Sequence, residues 1–457
     1  MNMTDNQRTY QELRDKYRWF TYESFSIERE KYQYRIRFHF NLNNRQHFYP
    51  DTVIPAFDML NISEENWNVL AFHMGMIELV SYWKAACPPE VYIKPYRLEQ
   101  DQMQWWKNLY FHGLGEFFHQ NGIQASPGEF MQLFNLSEKP PPAAKPILED
   151  HILVPVGGGK DSAVTLELLK AGGREIIPFA INPRPAIFET LDSAGIPRKK
   201  LVRAERAIDP LLLKLNEEGF LNGHTPFSAV VAFYGLLFAS LTGSRHIALS
   251  NESSANEATI PGTAINHQYS KTYAFEHDFR EYCRHYISTE YNYFSFLRPL
   301  NELQIGAFFA KFRKHYHTFK SCNRGSKDNI WCGECSKCLF TAAILAPFIE
   351  RDTQRKIFGK DILDDKSLSP ILDQLTGVAP EKPFECVGTL DDVNAALGKA
   401  GELWKQPQPA LLQHYANHHS TAMQPFSKLL HHWNASHFLT ADFEKLLKTA
   451  MDEKINT

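Results

Sequence analysis

Long apolar runs are missing from this sequence. Its strongest hydrophobic stretches are short or broken by Gly, His and Lys, so none offers the ~20 consecutive apolar residues of a membrane-spanning helix. The first residues, Met1-Asn2-Met3-Thr4-Asp5, are polar and hold no signal-like apolar core. Charge of one sign is not in excess either: 49 basic residues face 52 acidic ones, a net charge of −3. Nothing global therefore points to nucleic acid or an anionic membrane, although a local basic groove is compatible with this balance. Cysteines are few, seven in 457 residues, which speaks for thiols or metal ligands rather than a disulfide framework. Internal repeats are absent, and the only low-complexity patch is Pro140-Pro141-Pro142-Ala143-Ala144. What remains is a globular chain, expected to be cytoplasmic and to form two or three domains, with 43% hydrophobic residues for its cores.

The stretch Val154-Pro155-Val156-Gly157-Gly158-Gly159-Lys160-Asp161-Ser162 organises the rest. His151 to Val156 has the apolar character of a buried strand, and Val164, Leu166, Leu168 and Leu169 start a helical pattern. Glycines without Cβ let backbone N–H groups approach a ligand, and a helix N-terminus favours phosphate. Lys160 adds a charge, Ser162 a hydroxyl and Asp161 a carboxylate able to hold Mg²⁺ through water. The spacing is not that of a Walker loop. It resembles the Ser-Gly-Gly-x-Asp-Ser motif of the PP-loop ATP pyrophosphatases, which cleave ATP to AMP and pyrophosphate while adenylating a substrate; Gly157 stands where that family has serine.

Before this loop, residues 32 to 42 alternate, with Tyr32, Tyr34, Ile36, Phe38, Phe40 and Leu42 on one face, as in a half-buried antiparallel strand. Ser63-Glu64-Glu65 opens a helix carrying Trp67, Leu70, Met74 and Ile77 on one stripe, stopped by Cys87-Pro88-Pro89. A second helical run spans about 103 to 120. Residues 1–136 read as an N-terminal α+β domain and 137–147 as a proline-rich linker. Residues 148–350 alternate strand and helix, with apolar runs at 152–156, 176–181, 201–208 and 246–250, which predicts an α/β fold with a parallel sheet. Phe227 to Leu241 is apolar nearly all round and predicts a buried helix. Residues 351–457 read as mostly helical, ending in a helical run from Phe426 to Lys448.

Ligands of open parallel sheets sit at the carboxyl ends of strands. Three such ends are polar: the glycine loop, Asn182-Pro183-Arg184, and Ser250-Asn251-Glu252. Cys322, Cys332, Cys335 and Cys338 are spaced Cys-x₉-Cys-x₂-Cys-x₂-Cys, a set that closes a tetrahedral shell around structural Zn²⁺; an Fe–S cluster or four free thiols are the other readings. Lys382-Pro383-Phe384-Glu385-Cys386-Val387-Gly388-Thr389 is neither helical nor alternating, and sets Cys386 beside Glu385 in an irregular loop.

Together the glycine loop, Ser250 to Glu257, Trp331-Cys332-Gly333-Glu334-Cys335-Ser336-Lys337-Cys338, the segment around Cys386, and Ser81-Tyr82-Trp83-Lys84-Ala85 resemble the MurL family. That resemblance implies an ATP- and Mg²⁺-dependent epimerase of UDP-N-acetylmuramoyl-L-alanyl-L-glutamate built on a PP-loop core and serving peptidoglycan synthesis. It implies an ATP site at Val156, Gly157, Gly158, Gly159, Lys160, Asp161, Ser162, Asn182 and Ser250, with Asn251 and Asn256 as expected substrate contacts. Arg184 and Arg324, whose guanidinium forks suit a carboxylate or diphosphate, are expected to grip the substrate as well. Converting the α-carboxylate to a neutral acyl adenylate removes the charge that opposes loss of the neighbouring proton. Asp161, Glu252, His267 and Cys386 are the expected catalytic residues, and the base lies among His224, Glu252, His267, Lys271 and Cys386. The partner implied is a small muramyl nucleotide. A 7-cyano-7-deazaguanine synthase-like enzyme, a tRNA-modifying enzyme and a non-catalytic nucleotide-binding module remain the competing readings.

Overall fold

The computed structural model describes residues 5–404, 407–418 and 424–455. Among the described residues, eleven strands form one sheet: β1 (Trp19–Arg29), β2 (Gln33–Leu42), β3 (Gln46–Phe48), β4 (Asp51–Pro55), β5 (Glu90–Ile93), β6 (Gln132–Asn135), β7 (Glu149–Pro155), β8 (Ile176–Ile181), β9 (Val202–Arg206), β10 (Ser244–Leu249) and β11 (Asn292–Ser295). Their spatial order is β11-β10-β7-β8-β9-β4-β2-β1-β5-β6, with β3 paired to β2. The five strands β7 to β11 are mutually parallel, as the alternation of apolar runs and helices predicts. The chain lays β7 in the middle, adds β8 and β9 on one side, then crosses back to add β10 and β11 on the other. The crossing leaves a switch point between β7 and β10, where the loops diverge and a crevice opens.

Residues 1–136 do not form the separate domain expected from the proline-rich segment. Strand β4 pairs antiparallel with β9, through Thr52 with Arg206 and Val53 with Glu205, so the sheet runs on into the N-terminal part. Helix Glu64–Trp83 packs against helix Phe227–Thr242, and Leu60 N–H donates to Leu241 O at 2.8 Å. Between these partners the helix is buried nearly all round, not along one stripe. The ion pair of Arg206 with Glu78, at 2.5 and 2.6 Å, ties the helix to the end of β9.

Alternate side chains of the parallel strands point into two cores, as a period of two requires. Leu153, Phe179, Val202, Ala204, Ile247 and Leu249 belong to the core shared with the N-terminal part. Ile152, Val154, Ile176, Ala180, Ala248 and Phe294 face the other, with helices Lys160–Ala171, Glu302–Lys311 and Ser336–Leu345 and the helical C-terminal region. The final helix, Ala441–Lys454, returns to this layer, and its Phe443 ring lies 4.7 Å from that of Phe294.

Three local expectations change. Tyr32 lies just outside β2 and is largely exposed, whereas Ile36, Phe38, Phe40 and Leu42 are buried. The run from 103 to 120 is two helices, Gln100–Gly113 and Gly115–Gln120, broken at Leu114. The run from Phe426 to Lys448 is likewise two, Phe426–Leu430 and Ala441–Lys454, because the intervening segment is irregular and carries Asn434 N–H to Pro299 O at 2.9 Å.

Candidate active site

At the switch point lies a cavity of about 320 Å³. Its walls include Gly157, Gly159, Asp161 and Ser162 from the glycine loop, and Ser250, Asn251 and Glu252 from the end of β10. Lys271, Lys320, Ser321, Asn323 and Lys337 close the remaining sides.

The glycine loop owes its shape to close approaches. Gly158 has φ +81°, and a Cβ there would stand 3.0 Å from the backbone of Ala186. A Cβ on Gly159 would meet Ser321 Oγ at 2.7 Å. Gly158 O accepts from Lys320 N–H at 2.8 Å, which brings the segment before the cysteines against the loop. Gly159 caps helix Lys160–Ala171 without a side chain, so the first N–H groups of that helix are left for a ligand. Ser162 Oγ accepts from Gly157 N–H at 2.9 Å, so the serine hydroxyl closes the loop on itself.

Under the loop sits a buried charge cluster. Lys160 donates to both Asp161 and Glu302, at the start of helix Glu302–Lys311. Burial disfavours the ammonium, but the two carboxylates outweigh it and hold Lys160 charged. Glu302 is pushed up to about 8, chiefly by burial and against the pull of Lys160. Burial also raises Glu252, which feels Lys271, Asp161 and Lys160. Asp161 and Glu252 thus face the cavity, while Glu302 lies behind Lys160 and off its wall.

Arg298, fully buried, fixes this arrangement. It donates to the Glu276 carboxylate at 2.9 Å, to Glu252 O at 2.6 Å and to Lys271 O. Both cavity segments therefore hang from one guanidinium.

Beyond Lys271 the site continues into a second cluster. Lys271 Nζ donates to Cys386 Sγ at 3.1 Å, and Lys337 Nζ to Cys386 O at 2.6 Å. Burial alone would raise the Cys386 thiol; the Lys271 charge and a hydrogen bond from His267 hold it well below its ordinary value. His267 Nδ1 donates to Glu116 Oε2 at 2.5 Å, and His224 Nδ1 lies 3.3 Å from the same oxygen. Burial works against the His267 charge, yet its bonds to Cys386 and Glu116 raise it to about 9, while burial and His267 press His224 down to about 4.

The four cysteines converge as their spacing suggested. Sγ separations are 3.8 Å for Cys322 and Cys335, 3.8 Å for Cys332 and Cys338, and 3.5 Å for Cys335 and Cys338. Ligands at the ~2.3 Å of a Zn–S bond stand about 3.8 Å apart at the corners of a tetrahedron, so the donor set fits such an ion. Gly325 N–H points at Cys322 Sγ from 3.1 Å, as an acceptor thiolate would require.

A family model described as the MurL N-terminal domain matches residues 11–296, and one described as the MurL C-terminal domain matches residues 318–428. The chain belongs to the MurL family. The first model runs straight through the proline-rich segment and ends just past β11, in keeping with the continuous sheet. A relative from Xanthomonas oryzae pv. oryzae is 37% identical over 324 residues, covering 69% of this chain and 70% of its own length. A second, from Salinispora tropica, is 35% identical over 339 residues, covering 72% of each chain. Both are named UDP-N-acetyl-alpha-D-muramoyl-L-alanyl-L-glutamate epimerase.

Of the residues singled out in this MurL chain, Gly157, Gly159, Asp161, Ser162, Ser250, Asn251 and Glu252 line the cavity. Gly158 and Lys160 stand behind that wall, and Val156 is buried, its N–H bonded to Phe179 O at 2.9 Å. Asn182 braces β8 against β9, exchanging 2.8 Å hydrogen bonds with the backbone of Arg206. Arg184 and Arg324 are exposed and not among the cavity residues, and Asn256 accepts from Tyr273 N–H at 2.8 Å beside a different hollow. Glu302, Arg298 and Glu116 carried no readable signal. Asn301 to Gln304 reads as a capping box, which it also is, and Glu116 lies 151 residues from His267.

Proposed function

We propose that the chain epimerises the terminal L-glutamate of UDP-N-acetylmuramoyl-L-alanyl-L-glutamate to the D form, activating the glutamate as an acyl adenylate with release of pyrophosphate and then AMP. The observation that carries this reading is the glycine loop, open helix N-terminus and the Asp161 and Glu252 carboxylates gathered in one crevice, in a chain whose relatives bear the epimerase name. On this reading the β7 to β11 half is a PP-loop core.

ATP would lay its phosphates along Gly157 to Gly159 and the N-terminus of helix Lys160–Ala171, where N–H groups and the helix dipole favour anions. Asp161, on the cavity wall, would hold Mg²⁺ through water, and the ion when bound would offset phosphate charge. Lys160 pairs with both Asp161 and Glu302 and keeps them from repelling one another. With the α-carboxylate converted to the acyl adenylate, a mixed anhydride, the Cα–H becomes more acidic, and the electron pair released moves onto the acyl oxygen. Lys271 and Asn251, on the cavity wall, would donate to that oxygen. Protonation from the opposite face and hydrolysis yield the D-glutamyl product and AMP. Cys322, Cys332, Cys335 and Cys338 would hold a structural Zn²⁺ that fixes Ser321 against the glycine loop and Lys337 against the Cys386 segment.

Incubation with ATP, Mg²⁺ and the muramyl nucleotide in D₂O tests the reading. Substrate-dependent AMP with deuterium at the glutamate α-carbon is the expected result. AMP without deuterium would leave an adenylating enzyme that is no epimerase.

A further inference from the structure

Two lysines of the crevice wall hold one sulfur-bearing residue between them. Lys271 reaches the Cys386 side chain at 3.1 Å, and Lys337 reaches its backbone carbonyl at 2.6 Å. Both lysines line the cavity, so Cys386 Sγ lies a single hydrogen bond behind its wall, and the residue is half-buried rather than sealed in. The loop carrying it is fastened on all sides. Lys382 Nζ bonds Glu257 at 2.7 Å and Gly388 O at 2.9 Å, Gln268 Nε2 bonds Val387 O at 3.2 Å, and Asn323 Nδ2 bonds Glu385 at 3.1 Å. A free cysteine kept for packing alone needs none of these polar fastenings.

We infer that Cys386, held between Lys271 and the His267–Glu116 pair, is the base that removes the glutamate α-proton; this rests on the adenylation reading given above. In the step, the Cα–H bond breaks and an S–H bond forms, while the C–H electron pair passes onto the oxygen of the acyl adenylate. The thiol is returned to thiolate by solvent exchange after product leaves. The charged groups facing the sulfur are Lys271 and His267, with Lys337 and Glu385 adjacent, and the two nearest cations favour the thiolate. Glu116 is a positioning residue: it touches His267, not the sulfur, and by accepting a hydrogen bond from Nδ1–H it favours the charged, donating form of His267.

The test uses full-length protein with ATP, Mg²⁺ and the muramyl nucleotide in D₂O. Cys386→Ser is expected to lower D-glutamate formation and α-deuteration by at least about 100-fold more than it lowers substrate-dependent AMP release. Wild-type protein that makes no substrate-dependent AMP would remove the adenylation reading itself, a separate failure. Retained deuteration in Cys386→Ser, or loss of AMP along with deuteration in a variant of unchanged thermal midpoint, would overturn the assignment. Should Cys386→Ser not fold, Glu116→Gln supplies a second readout. The thiolate absorbance near 240 nm that iodoacetamide removes from Cys386, mapped by peptide, is expected to titrate at higher pH in this variant than in wild type, and the lower limb of the deuteration pH profile should move with it. An unmoved titration would overturn the role of the His267–Glu116 pair.

Discussion

Arg298 and Glu276 form an ion pair of 2.9 Å in which both side chains are essentially inaccessible, at 0% and 2%. The same guanidinium holds the backbone carbonyls of Glu252 and Lys271, so a structural pair and two walls of the crevice share one support. Removing the carboxylate would leave a buried cation unpaired. Glu276→Gln is expected to cost about 3–5 kcal/mol in a denaturant titration and to lower AMP formation with it. A loss below about 1 kcal/mol would mean that water or backbone carbonyls satisfy Arg298 without Glu276.

Lys160 is the only cation that bonds both Asp161 and Glu302 among the described residues. Lys160→Met removes that charge from beneath the glycine loop and leaves the carboxylates to repel each other. AMP formation should fall by about 10²–10³-fold, the usual cost of a lost electrostatic contact at a reacting centre. Glu302→Gln should be milder, because Asp161 still pairs with the lysine. AMP release within threefold of wild type in Lys160→Met would separate the loop from catalysis.

The cysteine cluster predicts one equivalent of zinc per chain by elemental analysis, with no visible absorption band of an iron–sulfur cluster. Cys335→Ser should abolish the metal and lower the thermal midpoint, because a structural site contributes folding free energy directly. Preparations with iron and a broad band near 400 nm, or with neither metal, would each contradict the tetrathiolate zinc reading.

His73 gives a pH prediction. Burial holds it down to about 4, with its Nδ1 donating to Val69 O at 2.7 Å and its Nε2 3.1 Å from Tyr282 OH. The unfolded chain takes up the proton near the ordinary 6.5 and the folded chain does not, so this contribution is full above pH 6.5 and is lost as pH falls toward 4. The loss amounts to about 3 kcal/mol at its largest. His73→Gln should flatten the thermal midpoint between pH 6.5 and 4 relative to wild type, after the general cost of the substitution; parallel curves would show that His73 does not titrate on unfolding.

The strand-loop-helix at the glycine loop, the buried helix from Phe227 and the convergence of the four cysteines were all legible in the sequence. Each rests on a short pattern: a period of apolar residues, consecutive glycines before a helical run, thiols two residues apart. Tertiary structure decided what depends on distant segments meeting. Strand β4 joining β9 turned an expected separate domain into one sheet, since no local pattern records which strand edge will be paired. The helix from Glu64 is buried nearly all round because the sheet covers one side of it and helix Phe227–Thr242 another. Glu302, Arg298 and Glu116 reach the site across spans of more than a hundred residues or through backbone carbonyls, and their side chains read locally as caps and surface charges. Asn182 shows the converse: it sits at a strand end where ligands bind, yet its amide is spent on the backbone of Arg206. Sequence periodicity determines which faces are buried; only the packed chain determines which charges share a low-dielectric site, and there the chemistry is set.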